Sequence, residues 1–518
     1  MKKSKSRTIN SKNNFITGVI SHLIIMAMAF VCKTVFINTL GKPYLGINGL
    51  FHNIINLLSF TELGIGAAII YNLYKPIAEN DEKRIYVLMK FYRFAYRIIG
   101  FAVIGIGLVL LPFLPYMMKG NVPSFINVNL IFILYLLQSA SSYFFFAYKS
   151  AIIRANQQAY IINRAYWWNT IILNTLQILS LIFITNFELY VALSIFTNIG
   201  MNIYVAHVSD KLFPFINKKS DDKLSWAETK DILRNCYALS LWKINALVNS
   251  SIDDIILSAL AGLEIVGIYS VAQLIRDNIA KLLTTFFTSI TASVGNLNVL
   301  EKERDHQIYS VINFITVVMF SISSLGFFFV VNPFLKIWLG DSFMLNIYAV
   351  LFFSIDIYLK GLSNLHSTFR NALGLFKYMK YRPLIGTLTN VILSFALAAR
   401  YEIAGVVFAT VVCNTILYFI MEPIIVYRYG FGIKTWEFYR KNLIFVLLVV
   451  LMGLGIYGVL SLFELKGIWQ ILVNGSLAVI VPLLVFPLLY WKSDEIKFIR
   501  DNMLHHLFKH FKKPTENA

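Results

Sequence analysis

Cysteine is almost absent, with three in 518 residues. Cys32, Cys236 and Cys413 lie far apart, in or at the ends of apolar segments. That excludes a disulfide framework and a thiolate metal site, and the three read as small buried hydrophobes. Charge is scarce as well: Asp, Glu, Lys and Arg make up 14% of the chain, against roughly 25% in a soluble protein. Catalytic signatures are missing. The chain has no H-E-x-x-H, Walker A or G-x-S-x-G motif, so zinc proteolysis, nucleotide-driven work and serine hydrolysis lose their usual machinery. Nothing calls for a cofactor.

What is present is hydrophobic: 58% of residues, with mean hydropathy +0.66. The expected fold is an all-α integral membrane protein. Spans of about 20 apolar residues each fall near 15–40, 48–72, 92–117, 127–149, 158–185, 188–207, 236–261, 265–297, 308–335, 343–366, 378–399, 402–427, 441–463 and 468–490. That is about 14 transmembrane helices. The basic start, MKKSKSRTINSKNN, precedes an apolar run too long for a signal-peptide core, and reads as a cytoplasmic tail. The net charge of +19 is distributed as membrane topology demands and not as a nucleic-acid patch. Basic residues gather on alternate loops, around Lys83–Arg97, Lys149–Arg154, Lys211–Arg234, Arg370–Arg382, Arg428–Lys441 and the C-terminal tail. The intervening loops are short and nearly uncharged. The expected orientation is N-in and C-in.

The longest polar interruption, 208–235, divides the chain. An N-lobe is expected at 1–207, a cytoplasmic linker at 208–235, a C-lobe at 236–428, and two further helices with a basic tail at 429–518. Leu224, Trp226, Ile232 and Leu233 give the linker an amphipathic stretch. A repeat spans this division. GKPYLGINGLFHNI, from Gly41, matches GLEIVGIYSVAQLI, from Gly262: Gly41 and Gly46 correspond to Gly262 and Gly267 at one constant offset. Glycine at both points predicts a tight turn and a close helix approach, recurring in two pseudo-symmetric halves.

Here the sequence resembles a family. TLGKPYLGINGLFHNIINLLSFTELGIGAAIIYNLYKPIAENDEKRI looks like the first helical hairpin of bacterial polysaccharide and oligosaccharide flippases. These form a branch of the multidrug/oligosaccharidyl-lipid/polysaccharide (MOP) exporter superfamily. DDIILSALAGLEIVGIYSVAQLI is similar to their seventh-to-eighth hairpin. The resemblance implies two six-helix lobes about a central cavity, plus two C-terminal helices, working by alternating access. It implies translocation of a polyprenyl-diphosphate-linked oligosaccharide from the inner to the outer leaflet, for capsule, exopolysaccharide or O-antigen synthesis. Membrane lipids would be partners, with the polymerase and chain-length proteins of such a pathway. A cation-coupled multidrug exporter of the same superfamily is the alternative, and a membrane glycan polymerase or ligase is the alternative from another class. Every expected external loop is short, which disfavours an enzyme.

A polar group at bilayer depth costs several kcal/mol, roughly 2.5 to 3.5 for an acid or base, so polar stripes should face water or each other. The second span carries Asn48, His52, Asn56, Ser59 and Glu62 at helical spacing. The seventh carries Asn245, Asn249 and Asp253, with Lys243 and Asp254 on the neighbouring line. The eighth carries Gln273, Asp277 and Lys281 beside Arg276, and the tenth carries Asp356 and Lys360. Lys33 occupies the repeat position of Asp254. Arg276, Lys33 and Lys243 are candidate phosphate contacts, with Asn56, Asn249 and Gln273 lining the same cavity. Glu62, Asp253, Asp254, Asp277, Lys281, Asp356 and Lys360 are candidates for coupling or gating, or for structural neutralisation of one another. His52 reads as a packing group. Asp253 and Asp254 point about 100° apart on a helix, so they form neither a general acid–base pair nor a metal site.

Overall fold

The computed structural model describes residues 7–58, 65–118, 126–217, 224–226, 228–230, 232–233, 251–297, 302–373, 375 and 382–504. Among them there is helix and no strand. The chain divides into two compact units, Met1–Ser270 and Val271–Ala518.

In the first unit, α1 spans Arg7–Leu40, α2 Lys42–Leu58, α3 Ile65–Glu79, α4 Glu82–Leu110 and α5 Val128–Phe144. They are followed by α6 Ser150–Ala155, α7 Ala159–Phe183, α8 Phe187–Leu212 and α9 at 251–260. Short polar side chains decide where several begin. The Asp81 side chain accepts from Arg84 N–H, Asn127 from Leu130 N–H and Asn186 from Leu189 N–H. Each satisfies a donor that the first helical turn leaves open. The expected fourth span, 127–149, is broken instead of straight. Phe146 takes a left-handed backbone (φ 58°), and the helical stretches on either side meet at 48°. In the linker, Ser225 and Glu228 cap each other reciprocally, and Glu228 also meets Arg84 at 2.6 Å. Its hydrogen bonds to Arg84 and Ser225 hold the Glu228 carboxyl down at about 2.

The repeated glycines meet. Gly41 and Gly262 both have positive φ, 83° and 102°, at the turns into α2 and into α10, Leu263–Leu297. A Cβ on Gly46 would lie 2.0 Å from the Leu263 carbonyl oxygen, and one on Gly267 would lie 3.0 Å from that of Lys42. These two contacts exchange into each other under the repeat, since Lys42 corresponds to Leu263. The two matching turns therefore cross about a local pseudo-twofold axis, backbone against backbone.

In the second unit, α11 spans Lys302–Leu339, α12 Ile347–Ala372, α13 Arg382–Asn414, α14 Trp436–Leu460 and α15 Gly467–Leu489. The eleventh and twelfth expected spans are joined at Glu402, whose backbone (φ 47°) is not helical, and Gly405 packs under Leu397 at this bend. Beyond Asn414 the helix widens to π form at Thr415–Met421 and again at Ile425–Phe431. Proline inside α11 is accommodated by a neighbour. Pro333 has no N–H to give the Phe329 carbonyl one turn back, and Asn474 of α15 donates to that carbonyl at 2.8 Å.

Among the described residues, six helical stretches are long and apolar enough to cross a membrane: Glu82–Met117, Phe187–Leu212, His306–Leu339, Ile385–Phe431, Trp436–Leu460 and Gly467–Leu489. The bent pair makes a seventh. α7, also long, falls short because Asn169, Asn174 and Gln177 lower its hydropathy, and Gln177 is buried. Cys32 and Cys413 are buried thiols outside any disulfide among the described residues, as expected of small hydrophobes; Cys236 lies outside the described residues.

Two stability predictions follow from this packing. Gly46→Ala should lower the yield of folded, detergent-stable protein far more than Gly105→Ala, whose added Cβ meets nothing within 4 Å; size-exclusion chromatography reads the difference. Asn474→Ala should destabilise by about 1–3 kcal/mol by orphaning a buried carbonyl. In Pro333→Ala, which restores the N–H, the same change should cost less, giving a measurable coupling in a thermal-melt double-mutant cycle.

Candidate transport site

A polar cavity of about 790 Å³ lies inside the first unit, within the size range of small-molecule sites. Its wall is built of uncharged hydrogen-bonding groups: Asn56 and His52 from α2, Tyr92 and Tyr96 from α4, Tyr135, Gln138 and Ser142 from α5. Asn169 of α7 and Ser194, Asn198 and Asn202 of α8 complete it, with Arg154 of α6. The broken fourth span brings Arg154 there, because the bend after α5 redirects the chain. No carboxylate belongs to this wall among the described residues.

Part of the wall is held by its own bonds. Asn198 Nδ2 donates to Ser142 Oγ at 2.8 Å, Tyr92 donates to the Tyr96 hydroxyl at 2.8 Å, and Tyr135 donates to Asn48 Oδ1. Gln177 donates to Ser194 Oγ and the Tyr190 carbonyl. One amide is left over. Asn202 is 6% exposed, and its Nδ2 has no hydrogen-bond partner among the described residues. A buried donor of this kind costs about 1–3 kcal/mol unless something in the cavity accepts from it.

Beside the cavity, Lys33 of α1 reaches Ser270 Oγ at 3.4 Å, and its ammonium lies within electrostatic range of Asp254. Lys33 also faces His52. Asp254 is fully buried, and its Oδ1 would be 3.8 Å from a Cβ on Gly49. Lys33 and Asp254 are repeat equivalents within electrostatic range of each other, so they sit beside the same local axis as the glycine crossing. Asp253 is also buried and accepts from the Tyr269 hydroxyl at 3.1 Å.

The second unit holds a separate charge network. The Arg276 guanidinium contacts Asp277 at 2.9 Å and Asp356 at 3.3 Å, and it lies over the Phe353 ring. Lys360 is 3.7 Å from both carboxylates, and Asn414 Nδ2 donates to Asp356 at 2.6 Å. Asp356 is completely buried, so two cations and an amide offset the cost of its charge. A second buried pair, Arg370 with Glu422 at 2.6 Å, ties α12 to the α-helical turn Glu422–Ile424 between the two π stretches.

No protein-family model matches this chain, and no curated protein matches it. Solved structures do. A lipid II flippase, MurJ, in an inward closed conformation superposes with TM-score 0.67 at 15% identity, covering 92% of this chain and 98% of that one. An inward-facing multidrug resistance MATE transporter of the MOP superfamily gives 0.56 at 16% identity, covering 77% and 96%. A MOP superfamily transporter from Pyrococcus furiosus gives 0.52 at 15% identity, covering 79% and 93%. The chain has the fold of these membrane transporters. At such identity the likeness extends to the fold alone, and it is shared by a flippase and by drug exporters.

The sequence-predicted residues therefore separate. Asn56 and His52 line the cavity. Lys33 and Asp254 come together at the axis. Arg276, Asp277, Asp356 and Lys360 form one cluster, with Gln273 half-buried and Lys281 exposed on the same helix, Lys281 acting on Asp277 electrostatically. Arg276, a candidate phosphate contact, is engaged by its neighbour Asp277 and by Asp356 of α12, and spacing within one helix does not reveal the second. Glu62, Lys243 and Asn249 lie outside the described residues. Most of the cavity wall is uncharged and gives no charge signal in the sequence. Ser194, Asn198 and Asn202 mark it by their helical spacing.

Exchanging the axial charges tests the pairing. Lys33→Asp or Asp254→Lys alone places two like charges beside the axis and should lower the yield of folded protein. The double exchange should recover it, because the two positions are geometrically equivalent; thermal melting of the purified variants reads the outcome.

Proposed function

We propose that this protein is a flippase for a polyprenyl-diphosphate-linked oligosaccharide, acting between the leaflets of a bacterial cytoplasmic membrane. The observation that carries the reading is the wall of the cavity in the first unit. Sugars offer many hydroxyls and little charge, and they are recognised by amides, hydroxyls and aromatic faces, which is what the wall supplies. A cationic drug calls for a carboxylate to offset its charge, and the described wall, which also includes apolar and aromatic side chains, carries Arg154 and no carboxylate. Two lobes at 1–207 and 236–428 joined by the 208–235 linker, with the N-in and C-in orientation, belong to this proposal. So does a phosphate-facing role for Arg276, whose two acidic partners would have to share it with the substrate.

Reconstitution decides between the readings. In proteoliposomes with a labelled polyprenyl-diphosphate oligosaccharide, wild-type protein should move the label to the leaflet where an impermeant sugar-oxidising reagent reaches it. Asn202→Leu should reduce that rate about tenfold, the equivalent of one lost hydrogen bond to substrate, without lowering the thermal midpoint, because its Nδ2 has no partner to lose among the described residues. Arg276→Ala should abolish flipping while the protein still inserts. Drug uptake driven by a cation gradient, with no movement of any lipid-linked sugar, would establish the exporter reading instead.

A further inference from the structure

A second space, of about 710 Å³, opens between α7 and α8 and shares Asn169 and Met201 with the polar cavity. Its character is different. Ile172 and Trp168 from α7 and Tyr204 from α8 give it an exposed apolar surface. At Gly200 the side chain that would close it is missing, and an added Cβ there would meet nothing within 4 Å. Exposed apolar side chains on a membrane-spanning pair face lipid, so this cleft connects lipid with the cavity.

The rim is chemically specific. Arg164, exposed in the second turn of α7, stands over the cleft, and Arg154 stands in the adjoining cavity. Trp167 turns its indole Nε1 into a buried position with no hydrogen-bond partner among the described residues, and Asn202 leaves its own donor open nearby. Two guanidinium groups and two unanswered N–H donors suit a diphosphate, which accepts hydrogen bonds and carries negative charge. In the N-in orientation that the sequence predicts, this end of α7 lies at the inner leaflet.

We propose that the cleft between α7 and α8 is a side doorway from the inner leaflet. It holds the polyisoprenyl chain, with the diphosphate at Arg164 and Trp167, while the sugars occupy the polar cavity. This rests on the flippase reading and adds to it the route of the lipid: the chain stays in hydrocarbon, flanked by Trp168 and Tyr204, and only the head leaves it. An ordinary phospholipid is the competing occupant, since it too has apolar chains and an anionic head.

The test places a photoreactive benzophenone amino acid at Ile172, in full-length protein in phosphatidylcholine nanodiscs, with radiolabelled polyprenyl diphosphate lacking sugar as the probe. Saturable cross-linking at position 172 and little at Phe183, the lipid-exposed far end of α7, is the expected result. Arg164→Ala should weaken it about tenfold, and neutral polyprenol should not compete. Competition by phosphatidylglycerol at equal mole fraction would overturn the proposal in favour of a phospholipid groove. In the reconstituted assay, Gly200→Phe should fill the doorway and slow flipping at an unchanged thermal midpoint. Wild-type flipping by Gly200→Phe would remove the doorway and leave the flippase reading intact. Saturable, phosphate-dependent cross-linking without sugar transport would support the doorway and count against the flippase reading.

Discussion

The crossing of two matching turns is the constraint around which the first unit is arranged. Gly46 against the Leu263 carbonyl and Gly267 against that of Lys42 bring backbone to backbone, at a separation that admits no side chain at the first of these points. In hydrocarbon, where burying apolar surface against a neighbour gains little over lipid, such close approach is the main source of helix adhesion. It also sets what lies beside it. With the turns fixed, the equivalent positions Lys33 and Asp254 are brought within electrostatic range, and opposite charges there are tolerated where two like charges would not be.

Charge and polarity are divided between two tasks. The charged groups Arg276, Asp277, Asp356 and Lys360 spend their hydrogen-bonding capacity largely on each other. They resemble buried polar clusters whose satisfaction fixes a packing arrangement. The uncharged groups of the cavity are less fully satisfied, and Asn202 is the clearest case. A wall with spare donors is poised for a ligand rich in acceptors, at a moderate cost to the unliganded protein. The same economy appears at Pro333, where a missing backbone donor is replaced by one side chain from another helix.

The prediction that Asn202→Leu slows transport without loosening the fold depends on this division, because a wall residue with a spare donor can be altered while the glycine crossing and the ion pairs stay in place. How much of that was legible beforehand differs by residue. Asn48, His52 and Asn56 recur at helical spacing, so their common face could be read directly, and two of the three line the cavity. Tyr135, Asn169 and Asn198 come from three helices whose mutual rotation is set by packing, and no local pattern ties them together. The bend at Phe146, which carries Arg154 to the cavity, has no glycine or proline to announce it.

By itself the sequence determined the all-helical membrane class, because a chain so apolar can satisfy its backbone in lipid only within helices or a closed barrel. Its repeat also determined that Gly41 and Gly262 turn alike and that close approach follows, since glycine is the residue that permits both. Tertiary structure alone decided which charges pair. Asp356 with Arg276 and Lys33 with Asp254 are separated by long stretches of chain, and spacing constrains only neighbours on one helix. It also decided that the uncharged faces of α2, α4, α5, α7 and α8 enclose a single space, because the rotation of each helix is fixed by the sum of its contacts and not by its own pattern.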